Sequence, residues 1–222
     1  MTKPLREAIR IIVETIPRPK KVLEIGSRQA KNQRRIANLR SLFRDCEFVG
    51  TDMQKGPGVD VVADAEKLPF MDGSFDLVLC LETLEHADKP WLITDEIQRV
   101  LRSDGIAIVS SQQNFPLHMH PSDYFRYTPY GLRSLFPLLN NNLVVSISPP
   151  FLDEVKLNPQ AVIFVGSKKR FKFLMNDLKR ALISQKEKIS VHKPYRHRAQ
   201  DAIKFFKRGL QEALYREEIE FF

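Results

Sequence analysis

An α/β fold on a mainly parallel, doubly wound sheet is predicted by three features of this 222-residue chain. Short apolar runs recur from Lys20 to Gly166, and they end repeatedly in an acidic residue or a glycine. The runs are nearly continuously apolar, as in strands buried on both faces. Stretches of helical period or of loop composition separate them.

Met1 to Pro19 is a charged amphipathic segment, with Ile9, Ile12, Val13 and Ile16 at helical spacing. It reads as an N-terminal helix over 1–19 and lacks the unbroken apolar core of a signal peptide. Lys20–Ile25 is the first strand, closed by Gly26. Lys31–Phe43 reads as a helix with Ile36, Leu39, Leu42 and Phe43 on one stripe. Cys46–Thr51 is the second strand, with Asp52 at its carboxyl end, and Val59–Ala63 is a short third one followed by Asp64. The turn Asp72-Gly73-Ser74 leads into the fourth strand, Phe75–Cys80. Asp88–Leu101 is a helix with Asp88 as its N-cap and Pro90 in its first turn. Trp91, near that start, reads as a packing residue. Gly105 opens the fifth strand, Ile106–Ser110. Thr128-Pro129 opens a further helix, because threonine caps well and proline suits the first helical position.

Leu143–Ser148 and Ala161–Gly166 are the last two strands. Pro149, Pro150 and Pro159 leave no room for a helix between them, so they are expected as an antiparallel pair. The prediction is a Rossmann-like sheet of seven strands over residues 20–167. A basic helical extension follows over 168–222, with stretches near 170–187 and 199–218 split by His192-Lys193-Pro194.

The net charge of +8 belongs to that extension. Residues 168–222 hold 15 lysines and arginines against 7 acids, while residues 1–167 hold 20 of each. The second tail stretch places Ala202, Ile203, Phe206, Leu210, Ala213 and Leu214 on one stripe, with Lys204, Lys207 and Arg208 largely off it. Such a helix suits docking on its own domain, a protein partner or an oligomer contact, or an anionic membrane surface. Nucleic-acid binding ranks lower, because the body carries no recognition motif. No apolar run approaches the roughly 20 residues that span a bilayer. Cys46 and Cys80, both in predicted strands, read as buried reduced thiols of a cytoplasmic protein.

Ligands of an open α/β sheet bind outside the carboxyl ends of the strands. Gly26 permits close backbone approach there. Asp52 can accept both hydroxyls of a ribose, and Asp64 the amino hydrogens of an adenine. Each acid alone would read as a turn former or cap. Together, at consecutive strand ends, they point to an adenosine-type ligand.

The stretch A-D-A-E-K-L-P-F-M-D-G-S-F-D-L-V, the segment L-E-T-L-E-H at 81–86 and the run R-V-L-R-S-D-G at 99–105 resemble the class I S-adenosylmethionine-dependent methyltransferases, in their small-molecule (type 11) branch. The resemblance covers about residues 20–167. It implies S-adenosyl-L-methionine as cofactor, with the methionine-binding loop at Glu24, Gly26 and Ser27. It further implies ribose binding by Asp52, adenine binding by Asp64 and Ala65, and Leu81 lining the cleft. The first loop departs from the family's acid-x-Gly-x-Gly-x-Gly. It reads Glu24-Ile25-Gly26-Ser27-Arg28-Gln29-Ala30, and Arg28 would crowd a loop that normally hugs the cofactor. The I-G-S-R form and the segment from His120 to Pro129 resemble a sub-group of methyltransferase-like proteins.

Methyl transfer needs alignment of donor and acceptor, and a hydroxyl acceptor also needs a base. His86, His120 and Tyr124 are the candidate catalytic residues. His118, Tyr124 and Arg126 are the candidate acceptor-binding residues, with Arg126 open to two roles: pairing with an anionic acceptor or with Asp123. His118 and His120 could share a metal, but no further His or Cys completes a recognisable set, so no metal site is expected. Three function classes follow. The first is a methyltransferase acting on a small-molecule or glycan-type acceptor. The second is a methyltransferase-like binding or scaffold protein without activity, and the third a nicotinamide-dependent oxidoreductase. The last is disfavoured by the single loop glycine.

Overall fold

The computed structural model describes residues 1–30, 34–118, 122–147, 160–171 and 174–185, Arg35 by its backbone only. The expected second tail helix and His120 lie outside these residues. Helix α1 spans Lys3–Thr15, with the Thr2 hydroxyl accepting from the Leu5 N–H at 3.3 Å as its N-cap. It stops at Ile16, whose backbone is extended, as expected before Pro17. Strands β1 (Lys21–Ile25), β2 (Glu47–Asp52), β3 (Val61–Val62), β4 (Phe75–Leu81) and β5 (Leu101–Gln112) run parallel. β7 (Ala161–Ser167) is antiparallel to β5 and to β6 (Asn141–Ile147), giving one sheet in the order β3-β2-β1-β4-β5-β7-β6. The expected seven-stranded sheet with a closing antiparallel pair is therefore observed.

Alternate strand residues feed two separate cores. Val22, Leu77, Leu79, Ile106, Ile108 and Ile163 pack with α1 and with α5 (Leu174–Ser184). Leu23, Ile25, Val78, Val109 and Phe164 pack with α3 (Pro90–Val100) and α4 (Pro129–Ser134). Each fully buried aliphatic side chain contributes about 1.5–3 kcal/mol. The sheet is thus covered on both faces, and its free margin for a ligand is the edge formed by the strand ends. The first tail helix, α5, docks on α1 within this domain. No helix among the described residues is long and apolar enough to cross a membrane.

Several expected boundaries move for identifiable reasons. The expected 31–43 helix is reduced to α2 (Arg34–Ala37) and a 3-10 turn at Arg40–Leu42. The Arg6 guanidinium takes the Ile36 and Asn38 carbonyls, and Asn38 Oδ1 accepts from the Arg40 N–H, so the helix cannot continue. β3 shrinks because Asp60 turns its carboxylate to the Gly50 N–H at 2.7 Å and to Arg40. β5 starts earlier than Ile106. Leu101 pairs with Phe75 ahead of a register shift, and a Cβ on Gly105 would lie 2.8 Å from Leu101 Cδ1. The N-cap of α3 is Lys89 and not Asp88, with no side-chain cap. Trp91 is 50% exposed, because the buried stripe of α3 runs through Pro90, Ile93, Thr94, Ile97 and Gln98. Cys46 stands just before β2, half-buried, with its thiol 2.9 Å from the Pro19 carbonyl. Thr128 does cap α4, accepting from the Gly131 N–H at 3.0 Å.

Candidate functional site

The carboxyl ends of β1 and β2 are joined by the backbone. The N–H groups of Gly26 and Ser27 both donate to the Thr51 carbonyl, at 2.9 and 3.1 Å. Gly26 has φ +73°, and a Cβ there would lie 2.2 Å from Thr83 Oγ1, so the turn after β4 closes directly on this position. Asp52 accepts from the Arg28 N–H (3.3 Å) through Oδ2 and from the Gln54 N–H (2.9 Å) through Oδ1. The first loop then leans on the turn after β2. Gln29 N–H donates to the Pro57 carbonyl, and the Arg28 side chain lies over Gly56. A Cβ on Gly58 would sit 2.5 Å from the Ser27 carbonyl oxygen. Gly56 and Gly58 thus leave room for the Arg28 side chain and the Ser27 carbonyl in the neighbouring turn. Ser27 is buried, and its hydroxyl has no partner among the described residues. Asp64 is exposed and accepts from the Glu66 N–H at 2.9 Å. Ala65 beside it is half-buried, and Leu81 is buried at the end of β4.

Glu24 sits one residue before the end of β1, in register with Gly50 and Leu79. It is 7% exposed, and burial pushes its carboxyl up to about 8, with Arg40 and Arg6 pulling the other way. A folded pKa above the unfolded value gives stability that is present at low pH and lost as pH rises. The loss should run from the ordinary carboxylate range through about 8, with a slope of up to about 1.4 kcal/mol per pH unit. Glu24→Gln is expected to flatten this slope, which thermal melts between about pH 5 and pH 9 would register. An unchanged slope would show that Glu24 is ionised throughout.

On the other side of the crevice, the 3-10 turn Leu84–His86 faces the loop that follows β5. Tyr124 and Phe125 N–H groups donate to the Glu85 carbonyl, and the Tyr127 hydroxyl donates to that of Leu84. His86 and His118 meet edge to face, with ring centroids 4.9 Å apart. His86 Nδ1 lies 2.6 Å from the Ser122 carbonyl oxygen, and His118 Nδ1 lies 3.0 Å from Asp123 Oδ2. Arg126 grips Asp123 with both terminal nitrogens, at 2.5 and 2.6 Å, and donates also to the Phe115, Pro116 and Phe125 carbonyls. Its hydrogen bonding holds the Asp123 carboxyl well below the usual carboxylate range. Tyr124 is 53% exposed at the rim.

Two acids here carry roles that the sequence did not single out. Glu85 is fully buried, with Oε2 accepting from the Ser111 hydroxyl at 2.6 Å and Oε1 without a partner among the described residues. Glu82 adopts φ +54° and accepts from the Ser110 hydroxyl at 3.0 Å. Burial raises both carboxyls, and each is close enough for Glu85 to add to the effect on Glu82. Asp123, by contrast, makes the pairing with Arg126 that the sequence offered as one of two roles. The E-x-x-E-H spacing of 82–86 was the signal, since three residues form about one helical turn. Among the described residues the structure also brings His118 together with His86 and Glu85.

Comparison with known proteins places these strands in context. Residues 23–109, from β1 into β5, match the model of a methyltransferase domain. An uncharacterized methyltransferase of Mycobacterium sp. (strain JLS) is 33% identical over 107 residues, 44% of this chain and 40% of its own length. The chain therefore aligns with about two fifths of that relative. Among solved structures, an S-adenosylmethionine-dependent methyltransferase from Archaeoglobus fulgidus superposes with TM-score 0.57 at 14% identity, over 73% of this chain and 92% of that one. The Burkholderia thailandensis 1,6-didemethyltoxoflavin-N1-methyltransferase, solved with its acceptor and S-adenosylhomocysteine, gives TM-score 0.52 at 17% identity, over 75% and 79%. At such identities these two speak to the fold.

Proposed function

We propose that this chain, whose residues 23–109 are a methyltransferase domain of the class I S-adenosylmethionine-dependent kind, methylates a small-molecule or glycan-type acceptor. The observation that carries the reading is the strand order β3-β2-β1-β4-β5-β7-β6, with Asp52 ending β2 and Asp64 two residues past the end of β3. S-adenosylmethionine, when bound, supplies a methyl group activated by its sulfonium. Asp52 would take the ribose, Asp64 and Ala65 the adenine, and Glu24, Gly26 and Ser27 the methionine portion, with Leu81 lining the cleft. The buried Ser27 hydroxyl and the remaining acceptor capacity of Asp52 fit that ligand. The chain's own task is then alignment, worth several kcal/mol of barrier.

The acceptor would sit between the 84–86 turn and the loop carrying His118, Tyr124 and Arg126. With Nδ1 on the Ser122 carbonyl, His86 presents Nε2 as a lone pair able to take a hydroxyl proton. Tyr124 and His120 are the other candidates for that step. The first loop, lying against the turn after β2, supports one rival: a protein that binds the cofactor without transferring its methyl.

Calorimetry with S-adenosylhomocysteine and with NAD, followed by labelled S-adenosylmethionine against metabolite and glycan extracts, tests the proposal. Homocysteine-adduct binding with label transfer is expected. Binding without transfer to any fraction would favour the inactive reading, and binding of NAD alone would overturn both.

A further inference from the structure

A carboxylate oxygen of Glu85 and ring nitrogens of His86 and His118 all lie within 4.8 Å of one another. Each of the three groups has a polar neighbour that holds it. The Ser122 carbonyl can only accept, so His86 Nδ1 carries the proton and Nε2 the lone pair. At His118 Nδ1 lie the Pro116 carbonyl, which can only accept, and Asp123 Oδ2, so the same tautomer follows there. The Ser111 hydroxyl holds Glu85 Oε2 and leaves Oε1 buried with no partner among the described residues. A buried carboxylate oxygen in that state is costly unless a cation or proton meets it. Imidazoles whose rear nitrogen donates to a carbonyl or carboxylate, beside a carboxylate braced by a hydroxyl, make the outer shell that orients metal ligands.

We propose that Glu85, His86 and His118 form a binding site for one divalent first-row transition-metal ion. Two imidazoles and a carboxylate suit Mn²⁺, Fe²⁺, Co²⁺ or Zn²⁺ better than Mg²⁺ or Ca²⁺, which take mostly oxygen ligands. Ligand atoms about 2.0–2.2 Å from one ion stand roughly 3–3.5 Å apart, so the three groups close by up to about 1.5 Å on binding. The Glu82 carboxyl, also with a buried Oε2 lacking a partner among the described residues, lies three residues before Glu85. Three protein ligands leave a coordination position open. On the methyl-transfer reading, an acceptor hydroxyl on that position would lose its proton near neutral pH, and His86 would act as a ligand and not as the base. Metal binding itself does not depend on that reading.

The test uses the full chain, stripped with a chelator and titrated with Co²⁺ in the absence of any methyl donor. Visible absorption reports the ligand set, and elemental analysis the stoichiometry. One Co²⁺ per chain with nitrogen-ligand bands is expected, together with a metal-dependent rise in melting temperature. His118→Ala, on the loop, should weaken binding at least about tenfold and abolish that rise. Glu85→Gln should do the same, and His118→Ala stands in for it if the buried variant fails to fold. A His192→Ala/His197→Ala chain should bind like the wild type. Absence of stoichiometric binding overturns the proposal, as does binding that survives a His86→Ala/His118→Ala double substitution or that is lost with the tail histidines. S-adenosylhomocysteine calorimetry on the same stripped chain separates failure of the metal site from failure of the methyltransferase reading.

Discussion

Asp52→Ala is expected to weaken S-adenosylmethionine binding by roughly 2–4 kcal/mol, about 30- to 1000-fold in the dissociation constant. A carboxylate offers about four lone-pair sites. Two backbone N–H groups, from Arg28 and Gln54, use only part of that capacity. The rest is available to two ribose hydroxyls, and an ionised acceptor makes such bonds stronger than a neutral one does. Asp52→Ala also frees the Arg28 N–H, and with it the anchor of the first loop. Asp52→Asn separates the two effects, since its amide oxygen still accepts while the charge is gone. An intermediate affinity is expected for Asn. Calorimetry with S-adenosylhomocysteine measures both, and an Ala variant that binds as tightly as the wild type would remove Asp52 from the ribose site.

The second large effect is expected at Arg126. Asp123 has no exposed side-chain surface, yet it lies in a surface loop. Removing its guanidinium partner leaves a covered charge uncompensated, which costs about 3–5 kcal/mol in a deep interior. Proximity to solvent lowers the expectation for Arg126→Ala to roughly 2–4 kcal/mol, or about 5–15 °C in melting temperature. Adding Asp123→Asn should restore part of the loss by removing the charge. Arg126→Lys should rescue poorly, because a lysine cannot reproduce the two-pronged grip or reach the carbonyls of Phe115 and Pro116 together. An unchanged melting temperature with a raised Michaelis constant for the acceptor would instead mean that Arg126 holds an anionic substrate.

The sheet was legible because its strands are apolar on both faces and are punctuated by Gly26, Asp52, Asp64 and Gly105, which mark where pairing ends or bends. Helix extents were less so. The 31–43 segment has a helical stripe, but Arg6, far away in sequence, takes the carbonyls that would have continued it. Asp88 looks like a cap by type and position, while the backbone enters α3 one residue later. At the crevice, residues standing at strand ends could be named from pattern alone. The cluster of Glu85, His86 and His118 could not, because two segments distant in sequence, the turn after β4 and the loop after β5, assemble it. Spacing offered only His118 with His120, too few ligands for a metal set, while the fold brings the turn after β4 and the post-β5 loop together.

The glycines beside the first loop bear on how such chains are recognised. Gly56 and Gly58 lie in a different loop from Gly26, yet they yield space to Arg28 and to the Ser27 carbonyl. Steric room at this edge is therefore a joint property of two segments, and a deficit in one can be made good by the other. A pattern that counts small residues within a single loop scores this chain as defective. A description written in volumes would sum over both loops. The same accounting makes a bulky substitution at Gly56 equivalent in kind to one in the first loop, although nothing in their spacing along the chain connects them.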